Sequence, residues 1–547
     1  MADRYWVGGT GTWSSTNTAN WSTSSGGAGG ASVPTASDNV FFDAGSDAGG
    51  IFTVTMANSP RLCNDFTASG LDFTMTLAGT SIGLTVSGSL SFPATNFTRT
   101  YTGTTTFNAT TTGKTITTNG VAFGGPITLD GVGGGWILQD AFSTGAGTTT
   151  TTLTNGTLDL NNQTLTTGRF SSSNSNTRTI AFGTGNIACI GTGGVWSTPN
   201  VTGFTTTGTQ VVNVTSTGST GITFSPGGLS EANSISFNFT GGTYALTWSG
   251  SSTAVRSINF TGYSGTLGEV LITTLYGNLT FSTGMSLTAS NFAWSFRATS
   301  GIKEITSNGK TMDFPVNFDG IGGSWKLKDA MTLGSTRRVG WQAGTTDLNG
   351  FTLTAGLGIA FNTSNNRNIT FNGGTLLLSS TGATIWNGLG SNFTTTAGTG
   401  TGTISMTSAS AKTFVGGGFT YNCTLNQGGA GTLTITGSNT FDNITNTVQP
   451  ASVLFTAGTT STFSNFSLSG TAGNLITIGS VTAASHTLSK ASGTVSSDFL
   501  SISRSTATGG AGWYAGANST DGGNNSGWIF TAPPAPSAGN GNFLMFF

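Results

Sequence analysis

One stretch of this chain occurs twice, and the second copy keeps the order of apolar, polar and turn residues of the first. Leu129-Asp130-Gly131-Val132-Gly133-Gly134-Gly135-Trp136-Ile137-Leu138-Gln139-Asp140 returns as Phe318-Asp319-Gly320-Ile321-Gly322-Gly323-Ser324-Trp325-Lys326-Leu327-Lys328-Asp329, an offset of 319 − 130 = 189 residues. The likeness runs on. Asn96-Phe97 matches Asn291-Phe292, Thr118-Asn119-Gly120 matches Ser307-Asn308-Gly309, Asp159-Leu160-Asn161 matches Asp347-Leu348-Asn349, and Phe204-Thr205-Thr206-Thr207 matches Phe393-Thr394-Thr395-Thr396. The copies span about 84–235 and 275–425, and residues are gained or lost between them only at turns. Long repeats of short alternating segments build stacked architectures in which each unit buries its face on the next.

The alternation is that of strands. Ser234-Ile235-Ser236-Phe237-Asn238-Phe239-Thr240 puts Ile235, Phe237 and Phe239 on one side, as a half-buried strand requires. Gly, Asn and Ser break the runs at short intervals, and no helical period intervenes, which excludes βαβ units. A sandwich, a barrel array and a β-solenoid remain. Sandwich domains of this size would be joined by linkers, and the repeat shows none. The expected fold is all-β, an elongated parallel β-helix over 51–530 with an internal duplication at about 190 residues. At about 20 coils of about 4.8 Å each it would reach about 100 Å. Its solvated face should carry ladders of Thr, Ser and Asn, which stack without the repulsion of stacked like charges. That explains why charged residues make up only 7% of the chain.

The same scarcity excludes partners. With 18 Lys+Arg against 19 Asp+Glu, no basic surface is available for phosphates, so nucleic acid is not an expected partner. One histidine, His486, leaves no material for His-based metal centres or Ser-His-Asp triads. Cys63, Cys189 and Cys423 are odd in number and far apart, and are expected to be small buried apolar residues. Neither a metal nor a cofactor is expected; Asp521-Gly522-Gly523-Asn524-Asn525 is at best a weak cation site. No secretory signal opens the chain, and no run approaches the ~20 apolar residues of a membrane span, so synthesis in the cytosol without membrane insertion is expected.

Both ends differ from the body. Residues 1–50 carry Trp6, Trp13 and Trp21 and suit a plug for the open end of a solenoid or an attachment module. Residues 531–547 begin as a Pro-rich linker and finish in Phe543-Leu544-Met545-Phe546-Phe547, an apolar tail expected to contact a neighbouring subunit or another protein. Carbohydrate binding needs exposed aromatic faces. The candidates are Trp513, Tyr514 and Trp528 near the C-terminal end, for which end-cap packing is the stronger expectation, and Trp341, in a polar loop-like context after Arg337-Arg338.

Glycan cleavage would need two carboxyls about 5–10 Å apart. Asp130 and Asp140, with Asp319 and Asp329, are the candidates. Asp-Gly is also an ordinary turn pair, and the duplication of the whole set favours a structural duty. Arg178 and Arg367 recur near Asp159 and Asp347. Each is expected either to form a partly buried ion pair or to stack on an aromatic ring, fixing a turn between coils, the alternative being a solvated surface side chain.

The opening Tyr5-Trp6-Val7-Gly8-Gly9-Thr10-Gly11-Thr12-Trp13 with Asn20-Trp21 resembles the start of β-solenoid virion proteins of tailed bacteriophages, particularly aquatic ones. Lys412-Thr413-Phe414-Val415-Gly416-Gly417-Gly418, the run Leu433 to Phe441, and Asp521 to Phe530 are similar to segments of the same proteins. The resemblance implies a non-enzymatic virion protein. It would be a tail fibre or spike that adsorbs to host surface polysaccharide, a capsid fibre or head-decoration protein as the alternative, and a glycan-degrading tailspike as the third reading. Other virion proteins are the implied partners. A homotrimer, as in many phage fibres, and a solenoid standing alone both stay open, since no heptad segment is present. The resemblance carries over no catalytic residue.

Overall fold

A computed structural model describes residues 1–58, 60–145, 147–250, 252–268, 273–381 and 384–535. Every regular element among them is a β-strand, and the strands stack in parallel as β-solenoid coils, about 21 turns in all. The chain forms two compact units, Met1–Phe296 and Arg297–Phe547. The division falls inside the second repeat copy.

In the first unit each strand pairs in register with the one a coil later. Leu84 faces Thr105, Thr105 faces Ile127, and Ile127 faces Thr151. Residues 1–50 do not stand apart from this stack, because Gly11–Trp13 pairs in parallel with Val54–Met56. The departure is at the extreme N-terminus, where Tyr5-Trp6 pairs antiparallel with Trp21-Ser22. Trp6, Trp13 and Trp21 are fully buried and meet around Phe42 at ring distances of 5.2–6.2 Å, which closes the apolar layer. The second unit repeats the scheme. Thr352 faces Thr375, Thr375 faces Thr403, and Thr403 faces Thr424.

The period-two pattern sends every second side chain inward, where successive coils pile like residues on one another. Phe42, Phe66, Phe92, Phe123 and Phe142 form one column in the first unit, with ring centres 5.4, 5.6, 5.5 and 5.0 Å apart. Trp386, Phe414, Phe441 and Phe463 form another in the second. Outward positions carry the expected ladders. Thr85, Thr106, Thr128, Thr152, Ser171 and Ser197 follow one another rung by rung, and Asn213 takes a hydrogen bond from Asn238 at 2.9 Å and gives one to Asn186 at 3.2 Å. Cys63, Cys189 and Cys423 are buried free thiols, as their spacing predicts.

The repeated motif makes a particular shape. Strand Ile127–Leu138 keeps register with Thr150–Asp159 up to Leu129 and resumes it at Gly135, so the residues between bulge outward. Glycine is required there. A Cβ on Gly131 would lie 2.7 Å from the Trp136 ring, and Gly133 sits at φ +74°. Val132 is left at the tip, 73% exposed, and Ile321 holds the same place in strand Val316–Leu327 at 67%.

Candidate ligand-binding groove

Several charged side chains bind the backbone of the neighbouring coil. Asp140 accepts the N–H groups of Thr118 and Asn119 and caps the turn at Asn119-Gly120, whose residues have φ +48° and +83°. Asp329 does the same for Ser307 and Asn308. This assigns both carboxylates a structural duty. Asp130 receives the Asn155 amide at 2.6 Å, while Asp319 pairs with Arg297 at 2.8 Å.

Arg178 lies in strand Arg178–Ala181 with no exposed surface. Its guanidinium donates to the carbonyls of Ser172, Asn176, Asn200 and Thr202 at 2.7–3.3 Å and stands over the Phe204 ring at 5.3 Å. The aromatic stack expected from the sequence is present, and the ion pair with Asp159 is absent. Asp159 instead accepts the N–H of Asn161. Arg367, 2% exposed, donates to Ser391 O and to the Thr363 hydroxyl, while Asp347 takes Asn349 N–H and the Asn372 amide. Lys412, 1% exposed, gives its three protons to Ser408, Gly429 and Gly431 carbonyls at 2.8, 3.3 and 2.7 Å. Burial pushes its ammonium down to about 8, which leaves it charged at neutral pH.

Beside Arg367, on the flank of the second unit, lies an open groove of about 840 Å³. Its floor is a ladder on the solvated strand face, Ser324, Thr345, Asn368 and Thr394, each in register with the next. The bulge Ile321-Gly322-Gly323 forms one wall and the loop Ser364-Asn365-Asn366, with Asn392, another. The ladder continues one rung past Ser324 to Ile302, 69% exposed. Hydroxyls, amides, the Ile321 side chain and the largely buried Arg367 line this groove, and no carboxylate does. Such a lining can hydrogen-bond a polyol and cover its C–H faces.

The aromatic candidates lie elsewhere. Trp341 is not in a loop: it belongs to strand Val339–Asp347, is fully buried, stacks on Phe318 at 6.0 Å and donates to the Thr346 hydroxyl at 2.7 Å. Arg337 and Arg338 lie in the connection before the strand, Gln342 is on its outward side, and none of the Trp341 face reaches solvent. Trp513 and Trp528 meet at 5.1 Å over Phe466, 2% and 9% exposed, with indole N–H groups bonded to Thr508 O and Ser505 Oγ. They pack as an end cap, with Tyr514 partly exposed beside them. Phe543, Leu544, Met545, Phe546 and Phe547 lie outside the described residues. Among the described residues no group of three or more His, Cys, Asp or Glu could hold a metal ion, and no helix is long and apolar enough to cross a membrane.

The groove itself was not foreseen from the sequence, although one signal pointed to it. Where the first copy has Thr177, Thr179 and Gly203, the second has Asn366, Asn368 and Asn392. No family model, curated protein or solved structure matches this chain.

Proposed function

We propose that this chain is a non-enzymatic virion protein of a tailed phage, a tail fibre or spike whose solenoid flank contacts polysaccharide on the host surface. The observation that carries the reading is the groove on the second unit, a cleft of hydroxyls and amides with Ile321 at its side, laid along a regular strand ladder. Polar groups fixed at rung spacing on a rigid sheet offer a preformed surface to a repeating polymer at little ordering cost. The stacked architecture also suits display, since each coil adds height without a new core. The resemblance of residues 5–13, 20–21, 412–418, 433–441 and 521–530 to phage solenoid proteins supports the virion context. Other virion proteins are then its partners, with the apolar stretch Phe543 to Phe547 as the proposed contact.

Gold-labelled antibody on intact particles tests the assignment. Label on the tail, with loss of adsorption in particles lacking the protein, supports it. Label on the head with normal adsorption transfers the protein to the capsid-fibre or decoration class. Shortening of host polysaccharide by the purified chain would move it to the glycan-degrading class.

A further inference from the structure

Four differences between the repeat copies converge on one face. Asn366, Asn368 and Asn392 replace Thr177, Thr179 and Gly203, and Ile302 replaces Gly113. The asparagines all line the groove, and Ile302 extends its floor by one rung. The turn at position 392 is kept, because Gly203 at φ +68° and Asn392 at φ +57° share the left-handed region in which asparagine is tolerated. The exchange therefore adds an amide without changing the backbone.

Two of these amides are held by neighbours and the third is open to solvent. Asn368 accepts the hydroxyls of Thr394 and Thr396 at 3.0 and 3.1 Å and gives its N–H to Thr370 at 2.9 Å. Asn392 donates to Ser364 O at 2.7 Å. Asn366, exposed at the rim, gives its carbonyl to Gly344 N–H at 3.0 Å and keeps its side-chain amide for solvent. The lining cation, Arg367, is buried and turned toward Ser391 O. Ile302 and Ile321 supply apolar contact at the floor and wall.

Building on the glycan-contact reading, we infer that this groove holds an extended, neutral polysaccharide lying along the direction in which the coils stack. Ile302, Ser324, Thr345, Asn368 and Thr394 make five rungs, a track of about 19 Å at about 4.8 Å per rung. One rung is close to the length of one pyranose in a ribbon-like chain, so about four sugar residues fit in step with the ladder. The hydroxyls and amides take up the sugar hydroxyls, and the two isoleucines cover C–H faces. Neutrality follows from a lining with no carboxylate and a cation already bonded to backbone.

The test is titration of the full chain, by calorimetry or NMR, with cellobiose, cellohexaose, maltohexaose and hexagalacturonate. Cellohexaose is expected to bind at least tenfold more tightly than each of the others. Ile302→Asp and Asn366→Ala, both at exposed positions, should each weaken it about tenfold, while Thr179→Ala in the first copy should leave it unchanged. Tighter binding of hexagalacturonate, affinity independent of chain length, a preference for coiled maltohexaose, indifference to both variants or no binding of any probe each overturns the inference. The broader reading fails separately. If particles lacking the protein adsorb normally, host adsorption is wrong; if they fail to adsorb while Ile302→Asp particles adsorb normally, only this groove is wrong.

Discussion

Asp140 accepts the backbone N–H of Thr118 with both carboxylate oxygens, at 2.9 and 3.0 Å, from a position 22 residues further along the chain. One charged side chain thus ties a left-handed turn to the coil stacked on it. Asp329 and Ser307 repeat the tie at the same separation.

Asp140→Ala is therefore expected to destabilise by about 2 kcal/mol, because charge-assisted bonds to turn N–H groups are lost. Asp159→Ala, whose carboxylate serves one local N–H, should cost about 0.5 kcal/mol or less. Urea unfolding of the two variants measures the difference, and equal midpoints would remove the inter-coil role.

Arg178→Met should cost about 3–5 kcal/mol, since it strips a buried donor from four carbonyls and a ring. Arg178→Lys should recover only part, because an ammonium cannot match a planar fork. A Lys variant as stable as the parent would show that charge alone, without the fork, holds these turns.

Gly156→Ala tests the bulge. The residue stands at φ +84°, and a Cβ would come within 2.6 Å of both Gly131 O and Gly134 O. A loss of about 2 kcal/mol or more is expected, from backbone strain and the clash together. Val132→Ser, at the exposed tip, should change stability by less than about 0.5 kcal/mol. Thermal melts compare the two.

His486 predicts an acid response. It is fully buried on Phe455, 4.8 Å between rings, with Nδ1 at 2.8 Å from Ser480 Oγ, and burial pushes it down to about 4. The unfolded chain protonates this residue near pH 6.5, so between about 6.5 and about 4 it binds more protons than the folded chain. Stability should fall as pH drops through that window, by about 3 kcal/mol in total from this residue. His486→Phe should flatten the slope of unfolding free energy against pH; an unchanged slope would assign the acid response to other groups.

Much of the fold was legible. Alternation such as Ile235, Phe237, Phe239 fixes which side chains face inward, because a strand has no other period. The repeat of Leu129–Asp140 at Phe318–Asp329, together with Asn-Gly turns, calls for stacked coils, because a half-apolar strand must be covered by its like. The burial of the cysteines and the place of Asp140 beside a turn were readable on the same logic. The placement of Trp341 was not, because the adjacent arginines belong to the connection before its strand and only Gln342 reports the strand's outward side.

What the tertiary structure alone decided is which residues of different coils stand side by side. Ile302, Ser324, Thr345, Asn368 and Thr394 are scattered over the sequence and become one track only when the register between coils is set. Local sequence dictates strand, turn and inward face; it does not fix how far each coil slides on the next or where a glycine-rich bulge displaces the ladder. Those offsets are settled by ring columns and carbonyl clamps between coils, and the groove is their consequence.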